Sequence, residues 1–182
     1  MQYRKIITLK NGSSCLLRNA VYEDGQAALG NFLLTHEQTD YLLSYPDENT
    51  FTVEREAQYL HEKASSSYEI ELLAELNGIV VGQAGLERVG AYEKLCRRVE
   101  FGVSVDKNYW GLGIGRSLTS ACVELARLVG YAQIELSVVA ENIAAINLYR
   151  SVGFVEYGRN PRGFFSRFNG WQELLLMRLE LD

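Results

Sequence analysis

Apolar residues recur with two different periods along this chain, and the switches between them map its elements. Alternating or β-branched runs predict strands at Cys15–Arg18, Tyr68–Leu76, Ile79–Leu86, Val99–Val105, Gln133–Val139, Phe154–Tyr157 and Gln172–Leu181. Three- and four-residue spacing predicts helices over Val21–Leu34, Thr52–Ser65, Ser117–Val129 and about Asn142–Val152. The first rests on Ala27, Leu29, Phe32 and Leu33, with Gly25 and Gly30 counting against it. The second opens on Thr52 with a glutamate close behind and sets Val53, Ala57, Leu60 and Ala64 on one face. The third carries Leu118, Ala121, Cys122, Leu125 and Leu128 inward and meets Gly130 as its stop.

Asn77-Gly78 tolerates positive φ at both centres of a type I′ turn, so the two runs around it form a hairpin. In Val99–Val105, Phe101, Val103 and Val105 share one face and Glu100, Gly102 and Ser104 the other; Gly102 predicts a bulge or a close backbone approach. His36–Asn49 reads as a helix remnant plus a mobile loop. Strands alternating with helices around one hairpin make the chain α/β or α+β with a mixed sheet.

Composition narrows this picture mainly by exclusion. With 182 residues and 47% apolar content there is room for one well-buried core, hence one domain over residues 1–182. No apolar run approaches the roughly 20 residues of a membrane span, and the first residues lack a signal-peptide core; a cytoplasmic protein without a membrane partner is expected. Cys15, Cys96 and Cys122 are odd in number and lack C-x-x-C spacing, and His36 and His61 form no H-x-x-x-H pair. Neither a disulfide framework, a metal centre nor a Ser-His-Asp triad is expected. A net charge of -5 without a basic stripe argues against a nucleic-acid partner and is also what ordinary solubility requires.

One stretch adds chemistry. Tyr109–Arg116 reads Y-W-G-L-G-I-G-R, between a β-branched run and a helix. Its alternate glycines free the backbone to curl and present N–H groups beside a helix N-terminus, an anion cradle suited to phosphate. A dinucleotide fold would place G-x-G-x-x-G after the first strand, and a P-loop would close on Gly-Lys-Ser/Thr; neither pattern is present.

Val99–Arg116 together with A-E-N-I-A-A-I-N-L-Y-R-S-V-G-F, Ala140–Phe154, strongly resembles the GCN5-related N-acetyltransferase (GNAT) superfamily. Gly113 and Gly115 take the glycine places of its acetyl-CoA motif. Asn142, Ala145, Ile146, Leu148, Tyr149, Gly153 and Phe154 match its second signature. Trp110 stands where the family often has Gln or Arg, a tolerable loss if main-chain N–H groups hold the diphosphate.

The resemblance implies a mixed, mostly antiparallel central sheet with helices on both faces, and acetyl-CoA as cosubstrate. Val103 and Val105 would offer main-chain hydrogen bonds to the pantetheine arm. Leu112, Gly113, Ile114, Gly115 and Arg116 would wrap the diphosphate, with Asn142 near the cofactor. Tyr149 would protonate the departing thiolate as general acid. Each has a plainer reading: Asn142 as a helix N-cap, Tyr149 as a core aromatic, Arg116 as a solvated helix residue. Glu100 is the expected base, with a cross-strand pair to Arg97 or Arg98 as its alternative role and Glu135 in reserve.

The acceptor is expected to be a small amine such as a polyamine or amino acid. A protein N-terminus or lysine stands second, and a catalytically silent acyl-CoA-sensing module of the same fold third. The Gly158–Gly170 segment, read as a loop, carries three arginines and three phenylalanines that could bind an anion, close over the site or line a homodimer contact.

Overall fold

The computed structural model describes residues 2–181. Its elements run β1 (Arg4–Thr8), β2 (Ser14–Asn19), α1 (Gly25–Glu37), α2 (Val53–Ser65), β3 (Ile70–Leu76), β4 (Ile79–Arg88), β5 (Arg98–Val105), α3 (Ile114–Val129), β6 (Gln133–Val139), α4 (Ile143–Val152), β7 (Val155–Ser166) and β8 (Gly170–Glu180). All strands join one sheet in the order β1-β2-β3-β4-β5-β6-β8-β7, and every pairing is antiparallel except β5 with β6. This is the mixed, mostly antiparallel architecture expected.

Alternation on β3 shows why both faces are covered. Ile70, Leu72 and Ala74 pack into the main core with Leu118 and Cys122 of α3, while Leu73 points the other way and meets Ala28 of α1 and Leu60 of α2. Asn77 and Gly78 take φ of 51° and 79°, as the type I′ hairpin between β3 and β4 requires.

Several boundaries differ from those predicted. The first helix begins at Gly25, not Val21: Asp24 accepts a hydrogen bond from Val21 N–H at 2.8 Å and pairs with Arg18 at 2.6 Å, which holds a short 3₁₀ turn in front of the helix. Leu128 does not join the buried face of α3; it is 76% exposed, on the solvent side of the last turn. No bulge lies at Gly102, because the β4–β5 register is continuous from Arg88↔Val99 to Gly82↔Val105; the irregularity sits between Ala74 and Glu75 of β3. Gly158–Gly170 is mostly strand rather than loop, an irregular edge strand with two register shifts against β8.

Candidate active site

The predicted cradle forms between β5 and α3. Gly111 and Gly113 adopt φ of 78° and 99°, a conformation that a side chain would strain, and the turn delivers the chain into α3 with no side chain capping its N-terminus. Ser117 N–H makes the first helical bond, to Gly113 O. The N–H groups of Ile114, Gly115 and Arg116 precede it and are left to an outside acceptor, as a diphosphate would be. The Leu112 carbonyl is taken by Lys10 N–H at 3.1 Å, which ties the loop to the β1–β2 turn. Gly115 lets α4 approach: a Cβ there would stand 3.3 Å from Leu148 Cδ1. The Arg116 guanidinium reaches across to Ser151 on α4 at 2.5 Å.

A splay in the sheet leads into this cradle. β5 pairs with β6 only over Arg98–Glu100 and Gln133–Glu135; beyond that β6 keeps to β8 and β5 runs on to Val105 paired with β4 alone. Asp106 N–H bonds Val81 O, so antiparallel alternation turns the main-chain groups of Phe101, Val103 and Val105 away from β4 and into the splay. The Val105 carbonyl accepts a hydrogen bond from the Trp110 indole at 2.6 Å. Trp110 therefore braces the strand end from the motif position usually held by Gln or Arg.

Tyr149 of α4 packs on the core face of β5, 8% exposed, edge-on to Phe101 with ring centroids 6.2 Å apart and beside Phe154 at 5.8 Å. Burial pushes its phenol up to about 12, so it holds its proton at any physiological pH. Asn142 caps α4: its Oδ1 accepts from Ala145 N–H at 3.2 Å.

On the opposite face of the sheet, under α1 and α2, lies a cavity of about 530 Å³. Two cross-strand rows form its floor. In one, Glu71, Gly85 and Gly102 stand side by side on β3, β4 and β5, and the bare glycines supply the depth. A methyl group on Gly85 would collide with the Glu71 carboxylate, which lies over that strand. Nothing comes within 4 Å of a Cβ built at Gly102, which opens on the cavity.

In the second row Glu87, Glu100 and Glu135 are neighbours on β4, β5 and β6. Glu87 is bound by Lys63 and Tyr59, each at 2.8 Å; burial opposes its ionisation, but these two partners hold its carboxyl below the usual range. Arg98 grips Glu135 through both oxygens, with Nη2 to Oε2 at 2.7 Å, and lowers it. Glu100 has no ion pair among the described residues and faces the cavity.

Phe32, Phe51, Tyr59, Leu42 and Leu43 form the cavity walls. His36 stacks on Phe32 at 3.8 Å and donates from Nδ1 to the Phe32 carbonyl at 2.8 Å; burial lowers its proton affinity, so the ring is neutral at pH 7 with its Nε2 lone pair free.

A profile of the acetyltransferase (GNAT) family matches residues 31–154. The chain belongs to the GNAT acetyltransferase family. An L-amino acid N-acyltransferase of Escherichia coli is 27% identical over 142 residues, 78% of this chain and 81% of that protein. An L-methionine sulfoximine/L-methionine sulfone acetyltransferase of Salmonella typhimurium is 32% identical over 61% of this chain and 64% of its own length. Among solved structures, a GNAT acetyltransferase from Streptococcus pneumoniae superposes with a TM-score of 0.86 at 28% identity, covering 91% of this chain and 99% of that one. The yncA acetyltransferase of Salmonella typhimurium, solved with acetyl-CoA, gives 0.82 at 25% identity over 92% and 94%. The enzyme class is that of an acetyl-CoA-dependent N-acetyltransferase.

In this GNAT enzyme Val103 and Val105 run along the splay, Leu112–Arg116 form the turn into α3, Tyr149 packs on Phe101 and Asn142 caps α4, while Glu100 faces the other side of β5. Sequence reasoning missed Glu71, Glu56 and His36, which also line the cavity. A signal for Glu71 was present: it is an acid on a strand whose hairpin partner is Gly85, a glycine inside a strand.

The segment between α1 and α2 is clasped to the end of β7. Asp40 accepts from Ser166 Oγ at 2.5 Å and from Asn169 Nδ2 at 2.7 Å, and Arg167 packs on the Tyr45 ring and bonds Asp47 at 2.8 Å. The segment after α1 is thereby fastened to the β7–β8 turn. Among the described residues no group of three or more His, Cys, Asp or Glu is placed to hold a metal ion, and no helix is long and apolar enough to cross a membrane.

Proposed function

We propose that the protein transfers the acetyl group of acetyl-CoA to the amine of a small molecule by direct attack in a ternary complex. The observation that carries this reading is Glu100, a carboxylate without a cation on the one strand whose edge is open at the splay. It faces an open cavity of about 530 Å³, and the uncapped α3 N-terminus lies at the strand's far end.

The cradle N–H groups of Ile114, Gly115 and Arg116 hold the diphosphate, and Val103 and the Val105 N–H hold the pantetheine arm along β5. Leu112 and Gly113 shape the loop; Asn142, which caps α4, fixes that helix and its Tyr149 against the donor. Glu100 takes the proton of the attacking amine, directly or through a water. The nitrogen–carbon bond forms, the carbon–sulfur bond breaks, and Tyr149 gives its proton to the leaving thiolate. A phenol with a raised pKa is protonated and ready for that task.

Thiol release from acetyl-CoA with a panel of small amines, alongside calorimetry of acetyl-CoA binding, tests the reading. Turnover on small amines supports it. Turnover on peptide N-termini or lysines alone would move the acceptor to proteins, and tight binding without turnover on any amine would make the protein an acyl-CoA sensor.

A further inference from the structure

We infer that the acceptor is a diamine or polyamine, with one amino group presented at Glu100 and a second, charged one held deeper in the cavity against Glu71 and Glu56. This rests on reading the cavity as the acceptor site.

Four carboxylates line the cavity, those of Glu56, Glu71, Glu87 and Glu100, and no lysine or arginine does. Lys63 reaches Glu87 from beside it, and no ion pair to Glu56, Glu71 or Glu100 occurs among the described residues. His36 adds no charge, because its ring is neutral. An amino acid acceptor, the substrate named for the Escherichia coli relative, brings a carboxylate of its own. Here that group would meet Glu56 and Glu100 without an ion pair and find no lysine or arginine on the lining, the nearby Lys63 being taken by Glu69 and Glu87.

A second ammonium is attracted where that carboxylate is repelled. Glu71 lies at the floor, where burial, against the opposing charge of Lys63 and with Glu56 and Glu87 adding to it, pushes its carboxyl up to about 8. An arriving cation stabilises its ionised form. The two ends of the site leave β3 and β5, two strands and about 10 Å apart at the backbone, with the side chains reaching inward. An aliphatic chain between two amines spans that gap. The walls are apolar and aromatic, as methylenes prefer, and the Phe51 and Tyr59 rings among them already carry Arg55 and Lys63. The acids are not grouped as a metal site. The bare Cα atoms of Gly85 and Gly102 leave the floor clear for the chain.

The test compares kcat/KM for 1,4-diaminobutane, spermidine, n-butylamine and L-methionine by thiol release, and measures 1,4-diaminobutane binding by calorimetry. The diamines are expected to exceed n-butylamine by at least about tenfold, with L-methionine below both. Glu71→Gln should shrink the diamine-to-monoamine ratio by at least about threefold, mainly through KM. Glu56→Gln gives the same reading should Glu71→Gln not fold. Equal rates on 1,4-diaminobutane and n-butylamine, or preference for L-methionine, overturn the diamine proposal and leave acetyl transfer standing. Diamine binding that Glu71→Gln weakens, with no turnover on any amine, supports the cation site and overturns the transfer reading. Neither binding nor turnover overturns both.

Discussion

Glu100 and Glu135 face each other across β5 and β6, yet Arg98 claims only Glu135, through both of its oxygens. The two carboxylates considered for the base are thus separated by their partners. Glu135 is held ionised by its guanidinium and has little affinity for a proton from an amine. Glu100→Gln should lower kcat by about 100-fold and remove its ionisation from the pH–rate profile. Glu135→Gln should leave that profile in place and cost about 1 kcal/mol of stability through the lost pair. A profile unchanged in Glu100→Gln would transfer the base role to a water or to His36.

Tyr149 makes a different demand, because its two readings, acid and core aromatic, are both consistent with a buried ring. Removing only the hydroxyl separates them. Tyr149→Phe keeps the edge-on contact with Phe101 and should lower kcat by about 100-fold while acetyl-CoA affinity stays nearly constant. With its pKa near 12, the wild-type phenol adds no descending limb to the rate below about pH 11. Wild-type turnover in the variant would leave Tyr149 a packing residue.

The sequence made the inner strands and the two motif helices legible because their apolar periods are strong and their stops chemical: Asn77-Gly78, Gly130 and Gly153 all sit at positive φ. β1 escaped notice because Arg4, Lys5, Ile6 and Thr8 are exposed on an edge strand and need no alternation. Of β7 only the start, within Phe154–Tyr157, was legible; the rest hid because its pattern is broken by glycines and Pro161. Motif spacing pointed to Glu100, since it lies two residues before Gly102 on the donor strand. Glu71 reads locally as a polar position on an alternating strand; only the packing of α1 and α2 over that face makes it a cavity floor.

Glu71 also links the cavity to stability. Its carboxyl titrates near pH 8 in the folded protein, against about 4.5 when exposed. Between those values the folded state holds a proton that the unfolded state has lost, so the contribution is full below about pH 4.5 and disappears as pH rises through about 8. Thermal unfolding should therefore show Tm declining from pH 6 to 9, and Glu71→Gln should flatten that decline. The other charges facing the group, Glu56, Glu87 and Lys63, remain in the variant. An unchanged slope would show that Glu71 is ionised throughout.

Two glycines of α1 carry opposite expectations. Replacing glycine by alanine inside a helix ordinarily stabilises it by about 0.5–1 kcal/mol, since alanine has less backbone freedom to lose. Gly30 has open space around an added Cβ, so Gly30→Ala should raise stability by about that much. At Gly25 the same methyl would stand 2.7 Å from Ala57 Cβ and 2.9 Å from the Ala57 nitrogen and the Val53 carbonyl oxygen. Its backbone is ordinary helix, so the glycine is there for proximity rather than for φ. Gly25→Ala must push α1 away from α2 and should cost about 1–3 kcal/mol, read as a lower Tm. Because these helices cover the cavity proposed to take the acceptor, the same variant should raise KM for the amine more than for acetyl-CoA. A neutral Gly25→Ala would mean that the two helices can separate without loss.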